Sequence, residues 1–173
     1  MKKLIFLFFI LISFSAISQP AVKIFAYSQA VSPGIVPKGV IGENGKTIRT
    51  KKEIPVNYYI FASYSKSAKI NIEEIWIKGK FFNPIVKNVD STPILSINEN
   101  IPGNPVKEVL VPATIQKVIS LNPGQLIKDI FIQSPSFKNL AKHSELIISY
   151  VYKRKKYFIG IKKIKVLEPV AGV

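Results

Sequence analysis

Four consecutive basic residues, Lys153, Arg154, Lys155 and Lys156, are the side chains of this chain best suited to bind a charged partner. They lie in the stretch YVYKRKKYF, where aromatic residues flank them on both sides. Basic residues interleaved with aromatic ones can bind single-stranded nucleic acid by charge and stacking. The same composition arises in a β-hairpin that has one buried face and a solvated turn. We therefore predict a contact for an anionic partner at these four residues.

Few other side chains suit catalysis. His143 is the one histidine, and Ser144 and Glu145 beside it are sequence neighbours rather than a Ser-His-Asp arrangement. No G-x-S-x-G nucleophile motif and no glycine-rich phosphate loop occurs. Glu73 and Glu74 are adjacent on a predicted strand, so we expect them to face opposite sides. We predict no enzymatic activity, and a hydrolase built from scattered carboxylates is the alternative.

The chain contains no cysteine, which limits the metal sites it can form and excludes disulfide bonds. With no Cys and one His, the ligands of zinc and iron–sulfur sites are lacking. The ten acidic residues contain no Asp-x-Asp run of the kind that calcium loops use. We predict no metal site and no cofactor, and a fold that is stabilised by packing rather than by disulfides.

The N-terminal segment predicts export. Residues 1–3 are basic in part, residues 4–12 are an unbroken apolar run, and residues 13–18 are small and weakly polar. This is the layout of a secretory signal peptide, with cleavage expected before Gln19. The apolar run is shorter than the roughly 20 residues of a spanning helix. We expect residues 1–18 to be removed, no transmembrane segment to remain, and residues 19–173 to form one domain in the periplasm or at the cell surface.

The charge balance favours an acidic partner. The full chain carries a net charge of +15, and removal of Lys2 and Lys3 with the signal peptide lowers it to +13. Such a charge attracts anions over long range. Export argues against nucleic acid, so an envelope protein or an anionic glycan or lipid surface is the expected partner. The sequence carries no signal for an oligomeric state.

The mature chain predicts an all-β fold. Apolar runs with a two-residue period alternate with Pro- and Gly-rich turns, and no βαβ pattern occurs. Residues 134–144 are the one predicted helical turn, with Ser136 as its N-cap. Trp76 on a strand and a late helical turn resemble an immunoglobulin-like arrangement. We predict a single immunoglobulin-like β-sandwich of about nine short antiparallel strands, with the helical turn before the C-terminal hairpin. The strands are predicted at residues 21–27, 40–49, 55–65, 69–82, 85–89, 92–97, 107–114, 115–121, 126–132 and 145–166.

Turn chemistry gives two hairpin predictions. Asn44-Gly45 predicts a type I′ turn that pairs Ile41 with Ile48. The last hairpin is predicted to pair residues 146–152 with residues 157–161, without a tight I′ turn because residues 153–156 contain no Gly or Asn. Lys162 and Lys163 are consecutive, so one would enter the core unless the strand bulges or runs past the core there.

The sequence therefore predicts an exported, non-enzymatic binding or accessory module of the bacterial cell envelope. It would contact a protein or glycan partner through loops or an edge strand. The alternative is direct binding of acidic envelope material, such as lipopolysaccharide or acidic polysaccharide, through surface lysines. Salt separates the two, because attachment by lysine alone is screened as ionic strength rises.

Overall fold

The computed structural model describes residues 20–32, 40–41, 47–48, 55–98, 106–127 and 134–171. The predicted signal peptide, residues 1–18, lies outside them and stays a prediction. The described residues form twelve strands and one helix: β1 Lys23–Ser32, β2 Val40–Ile41, β3 Thr47–Ile48, β4 Val56–Tyr64, β5 Ile70–Ile77, β6 Lys80–Asn88, β7 Ile94–Asn98, β8 Val106–Val111, β9 Lys117–Ile127, α1 Pro135–Ala141, β10 Leu146–Tyr152, β11 Lys155–Ile161 and β12 Lys165–Ala171.

Eight of these strands form one sheet in the order β11-β10-β5-β6-β9-β4-β1-β12. All neighbours in it are antiparallel except β1 and β12, which are parallel. Two ribbons, β2–β3 and β7–β8, accompany the sheet. The all-β prediction is confirmed. The immunoglobulin-like sandwich is not confirmed, because the eight strands form a single curled sheet that resembles half of a barrel.

The curl follows from a short connection. β11 and β12 are the opposite edges of the described sheet, yet only residues 162–164 join them. Four residue steps reach at most about 14 Å at 3.6 Å each, whereas the outer strands of a flat eight-stranded sheet lie about 34 Å apart. The sheet must therefore bend until its edges approach each other. The strand directions make β11 and β12 one bent strand, which pairs first with β10 and then with β1.

Ile164 anchors this bend. Its side chain is 2% exposed and packs in the concave core, and its backbone N–H donates to the Glu145 carboxylate at 2.8 Å. Lys162 and Lys163 precede it outside any strand, and both are exposed. The segment thus leaves the regular strand geometry before the two lysines, so neither side chain has to enter the core.

The concave face carries the main core. Its fully buried side chains come from both halves of the curl, so that β4 and β9 pack against β5 and β10 across the interior. β4 shows the predicted alternation, because Ile60, Ala62 and Tyr64 join this core whereas Phe61 packs on the other face. The largest fully buried side chains in it are Tyr150, Ile60, Ile75, Leu121, Leu146 and Ile148.

The convex face is covered at both ends. At one end, Phe137 of α1 packs on Trp76, Phe81 and Phe158, with ring centroids 6.0, 5.5 and 5.6 Å away. Trp76 therefore lies on the face opposite Ile75, as the alternation of β5 predicts. At the other end the β7–β8 ribbon covers the sheet.

The ribbon is fixed to the sheet by apolar packing and by a hydrogen bond. Leu110 and Val111 of β8 pack with Tyr27, Phe61 and Leu167. The Tyr27 hydroxyl donates to the Leu110 carbonyl at 2.7 Å within this cluster. Because both partners are buried, the hydrogen bond satisfies polar groups that would otherwise destabilise the contact.

The helix begins two residues earlier than predicted. Its N-cap is Ser134 rather than Ser136, and Pro135 occupies the first helical turn. Proline favours that position because its fixed φ suits a helix and its missing N–H would have no partner there. α1 has seven residues, and no helix among the described residues is long and apolar enough to cross a membrane.

Several strand boundaries differ from the prediction, and two of the differences concern turns. Residues 69–82 form two strands, because Lys78 and Gly79 adopt φ values of 45° and 92° and turn the chain between β5 and β6. Conversely, β9 continues through Asn122-Pro123-Gly124, where a turn was predicted. Pro123 lies opposite Pro84 of β6. Neither β4 nor β5 pairs with these positions, so the outer sides of the two strands carry no ladder there for a proline to interrupt.

The β2–β3 ribbon also departs from its predicted register. Ile41 pairs with Thr47 rather than with Ile48, a shift of one residue. Five residues therefore separate Ile41 from its partner, whereas the predicted register leaves six. The turn itself lies outside the described residues.

Replacing Ile164 tests the bend. We expect Ile164→Ala to lower the free energy of unfolding by about 2–5 kcal/mol, because the substitution leaves a cavity in the concave core. Val166→Ala is the matched control, since Val166 is two residues away and 69% exposed. Urea unfolding followed by circular dichroism measures both. Equal losses for the two variants would contradict the core placement of Ile164.

Candidate functional site

The four predicted basic residues lie at the tip of the β10–β11 hairpin. Lys153 and Arg154 form its two-residue turn with φ values of 47° and 62°, and Tyr152 pairs with Lys155. The prediction that no tight turn forms here is therefore wrong. Two positive φ values in succession are the geometry of a type I′ turn, which the right-handed twist of the flanking strands favours. Non-glycine residues adopt it at a cost in backbone energy.

Lys156 differs from its three neighbours, because two carboxylates hold it. Its Nζ lies 3.0 Å from Glu73 Oε2 and 2.9 Å from Glu74 Oε2. The expectation that Glu73 and Glu74 face opposite sides is wrong. A β-bulge in β5 is the reason: Ser149 pairs with Glu74 and the next residue, Tyr150, pairs with Ile72. The extra residue, Glu73, turns its carboxylate to the same side as Glu74.

The bulge creates a small polar network on the convex face. Ser149 Oγ donates to Glu74 Oε2 at 3.0 Å, and the Lys156 Nζ also lies 5.7 Å from the centre of the Phe158 ring. Burial lowers the pKa of Lys156, but hydrogen bonds to Glu74 and Glu73 and their negative charges outweigh it and raise the pKa above its ordinary value. The lysine thus stays charged at neutral pH, and its contribution to stability is lost only as the pH rises past about 10.5.

The two carboxylates of this network are already paired with Lys156. A pair of catalytic carboxylates needs an open gap for the substrate, whereas the Lys156 ammonium fills the space between these two. Among the described residues, no group of three or more His, Asp and Glu side chains could hold a metal ion. His143 is exposed, and the neighbouring Glu145 carboxylate binds the Ile164 N–H.

The charge available at the hairpin tip is consequently smaller than the sequence indicates. Lys153, Arg154 and Lys155 are exposed, and none of them forms an ion pair with the part of the chain that the structure describes. Lys153 Nζ lies 5.4 Å from the Tyr152 ring, a contact that leaves the cation accessible. Three cations, rather than four, therefore face an approaching anion.

The adjacent strand β11 is an edge of the described sheet. Because the two-residue turn makes Tyr152 and Lys155 a hydrogen-bonded pair, every second residue of β11 directs its N–H and C=O towards β10. Ile161 belongs to that set, and its carbonyl accepts from Glu145 N–H at 2.9 Å. The backbone groups of Lys156, Phe158 and Gly160 consequently point away from β10, towards the open edge.

Beyond the turn, apolar and aromatic side chains line both faces of this edge. Tyr157, Ile159 and Ile161 point to the concave side and are half-buried against the core. Phe158 points to the convex side and packs beside α1. The first half of β1 lies across the opening of the half-barrel. It pairs with β4 but not with β12, because the β1–β12 pairing begins only at Tyr27 of β1. The described sheet is therefore left open between β11 and the first half of β1.

Comparison with protein-family models, with curated proteins and with solved structures gives no significant match to this chain. The site therefore has to be interpreted from its own geometry. Sequence reasoning located the basic tip but missed the carboxylate pair beneath it. No residue pattern within β5 predicts the bulge, because it depends on how β5 pairs with β10.

Changing the turn to its preferred residues tests the turn geometry. We expect Lys153→Asn with Arg154→Gly to raise the free energy of unfolding by about 1 kcal/mol, because Asn and Gly adopt positive φ at lower cost. Lys153→Gln with Arg154→Gln is the matched control, since it removes the same two charges and keeps the strain. Urea unfolding separates them: an equal gain in both variants would attribute the effect to charge.

Proposed function

We propose that this chain is an exported, non-enzymatic binding module of the bacterial cell envelope. In this proposal it binds an extended segment of a partner protein as an added strand along β11. The observation that carries the proposal is the outward direction of the backbone groups of Lys156, Phe158 and Gly160 at the sheet edge. Export rests on the N-terminal sequence alone.

An open edge strand is a template for strand addition. Main-chain hydrogen bonds supply affinity in this mode, and pockets for alternate side chains supply specificity. Three residues of β11 present their N–H and C=O groups, which suits a partner segment of about five to seven residues at a strand's rise. Monomeric proteins usually protect such edges with charge, proline or a covering loop. β11 carries its charges only near the turn, and the rest of its edge is apolar.

The side chains of the edge specify the partner's pattern. An added strand would continue both faces of the sheet, so its alternate residues would lie beside Tyr157, Ile159 and Ile161. These positions require apolar side chains. At the turn, Lys153, Arg154 and Lys155 would attract acidic residues at one end of the segment and accelerate encounter. We therefore expect a short partner segment with apolar residues at every second position and acidic residues at one end.

The second candidate is direct attachment to acidic envelope material through lysine side chains. The three cations of the tip, which form no ion pair with the described residues, favour it. The two candidates differ in their response to salt, because an exposed charge is screened within about 8 Å at physiological ionic strength, whereas backbone hydrogen bonds and apolar contacts are not.

An immunoglobulin-like relationship of the fold also remains a proposal, supported by the position of α1 before the β10–β11 hairpin.

Proline at the edge provides the sharpest test of strand addition. Lys156→Pro removes an outward N–H and places a ring where the partner would lie, without removing a bond to β10. Lys156→Ala is the matched control, since it loses the same ion pairs and keeps the N–H. With a photo-crosslinking residue at position 155 and expression in the native cell, we expect one discrete crosslinked protein for the Lys156→Ala form and none for the Lys156→Pro form.

A crosslinker at Lys87, an exposed residue of the interior strand β6, is the positional control. The product at position 155 should resist washing with a few tenths molar salt before irradiation. Loss of the product in salt would favour the lysine-attachment candidate instead. Equal crosslinking by the proline and alanine variants would exclude pairing along β11.

A further inference from the structure

A cleft of about 450 Å³ lies at the opposite end of the strands from α1's cluster of aromatic residues, beside the β4–β5 turn and the start of β9. Its walls are two chain segments, residues 88–92 at the end of β6 and after it, and residues 114–118 before and within β9. Lys66 of the β4–β5 turn completes the rim. No residue of the β11 edge contributes to it. The cleft is therefore a second site, independent of the proposed strand addition.

Hydrogen bonds hold the two walls together. Thr92 Oγ1 donates to the Thr114 carbonyl at 3.2 Å and accepts from the Thr114 N–H at 3.0 Å. Val89 N–H donates to the Val118 carbonyl at 3.1 Å. Because these hydrogen bonds tie the walls to each other, binding would cost little further ordering of the chain.

The polar groups of the cleft suit a hydroxylated anion. Lys66 and Lys117 supply two positive charges and Asp90 one negative charge, and none of the three forms an ion pair with other described residues. Gln116 accepts from Ser63 Oγ at 2.7 Å through its side-chain oxygen, which leaves its amide N–H groups to donate. Ile115, 89% exposed, offers an apolar surface at the rim.

We propose that this cleft binds an acidic sugar unit of a polysaccharide. The lysines would bind its carboxylate, and Asp90 would accept hydrogen bonds from its hydroxyl groups. Ile115 would contact the apolar face of the ring. The phosphoryl group of a phosphomonoester dianion fits less well, because it has no hydroxyl hydrogen to offer Asp90 and its double negative charge is repelled by that carboxylate. A neutral sugar fits less well because it leaves two cations without a partner.

Titration with defined trisaccharides tests the proposal. We expect tri-galacturonate to bind the wild type and to shift the amide resonances of residues 88–92 and 114–118, and maltotriose, a neutral trisaccharide, to bind at least tenfold more weakly. Lys66→Gln with Lys117→Gln should weaken tri-galacturonate binding at least about tenfold, because the sugar carboxylate loses both of its charge-assisted contacts; a tenfold loss corresponds to about 1.4 kcal/mol. Isothermal titration calorimetry measures the affinities.

Lys153→Gln with Lys155→Gln is the matched control, because it removes the same charge from the hairpin tip. It should change the affinity less than twofold. Equal losses in the two double variants, equal binding of maltotriose, or no binding of tri-galacturonate at millimolar concentration would each overturn the proposal. Lys156→Pro should leave sugar binding unchanged, so failure of the cleft and failure of strand addition are distinguishable.

Discussion

The three-residue link between β11 and β12 is the constraint on which the rest of this structure depends. It joins strands at opposite edges of an eight-stranded sheet, so the sheet curls and its two halves face each other across one core. Ile164 fills that core, and the Glu145 carboxylate binds its N–H. A buried backbone N–H without a partner would destabilise the link, so this one hydrogen bond supports the curl.

The same link explains why β11 has an open side. The bent strand leaves β10 at Ile161 and pairs with β1 only from Tyr27 onward. At one end of the half-barrel, hydrogen bonds between β12 and β1 close the sheet. At the other end, β11 and the first half of β1 do not pair with each other among the described strands. The hairpin tip lies at the open end, which brings three exposed cations to the place where backbone groups are available. In the proposed function, the cations of the tip and the backbone groups of the edge therefore contact the same extended partner segment.

Electrostatics at that end depend on a backbone irregularity. Without the bulge at Glu73, one carboxylate would point to the concave core, where a charge is costly unless it is paired. With the bulge, both carboxylates reach Lys156, and β5 is tied to β11 across β10. The ion pairs are partly exposed, so each contributes little to stability. Their larger effect is to remove one cation from the basic tip.

Local pattern predicted much of this fold and little of its sites. The alternation of β4 and the opposite faces of Trp76 and Ile75 followed from the two-residue period, because each strand has two packed faces. The pattern did not predict the tight turn at Lys153-Arg154 or the continuation of β9 through Pro123. Strand pairing overrides the local residue preference at both places. The cleft unites residues from three distant segments, and no spacing in the sequence brings Lys66 to Asp90 and Lys117.

The availability of the β11 edge is the central claim, and amide hydrogen exchange of the isolated protein tests it most directly. The amides of Tyr157 and Ile159 should be protected by β10, whereas those of Lys156, Phe158 and Gly160 should exchange far faster. Adding the partner identified by crosslinking should slow the second set alone. Equal protection of both sets in the isolated protein would contradict the account, because the edge would already be covered.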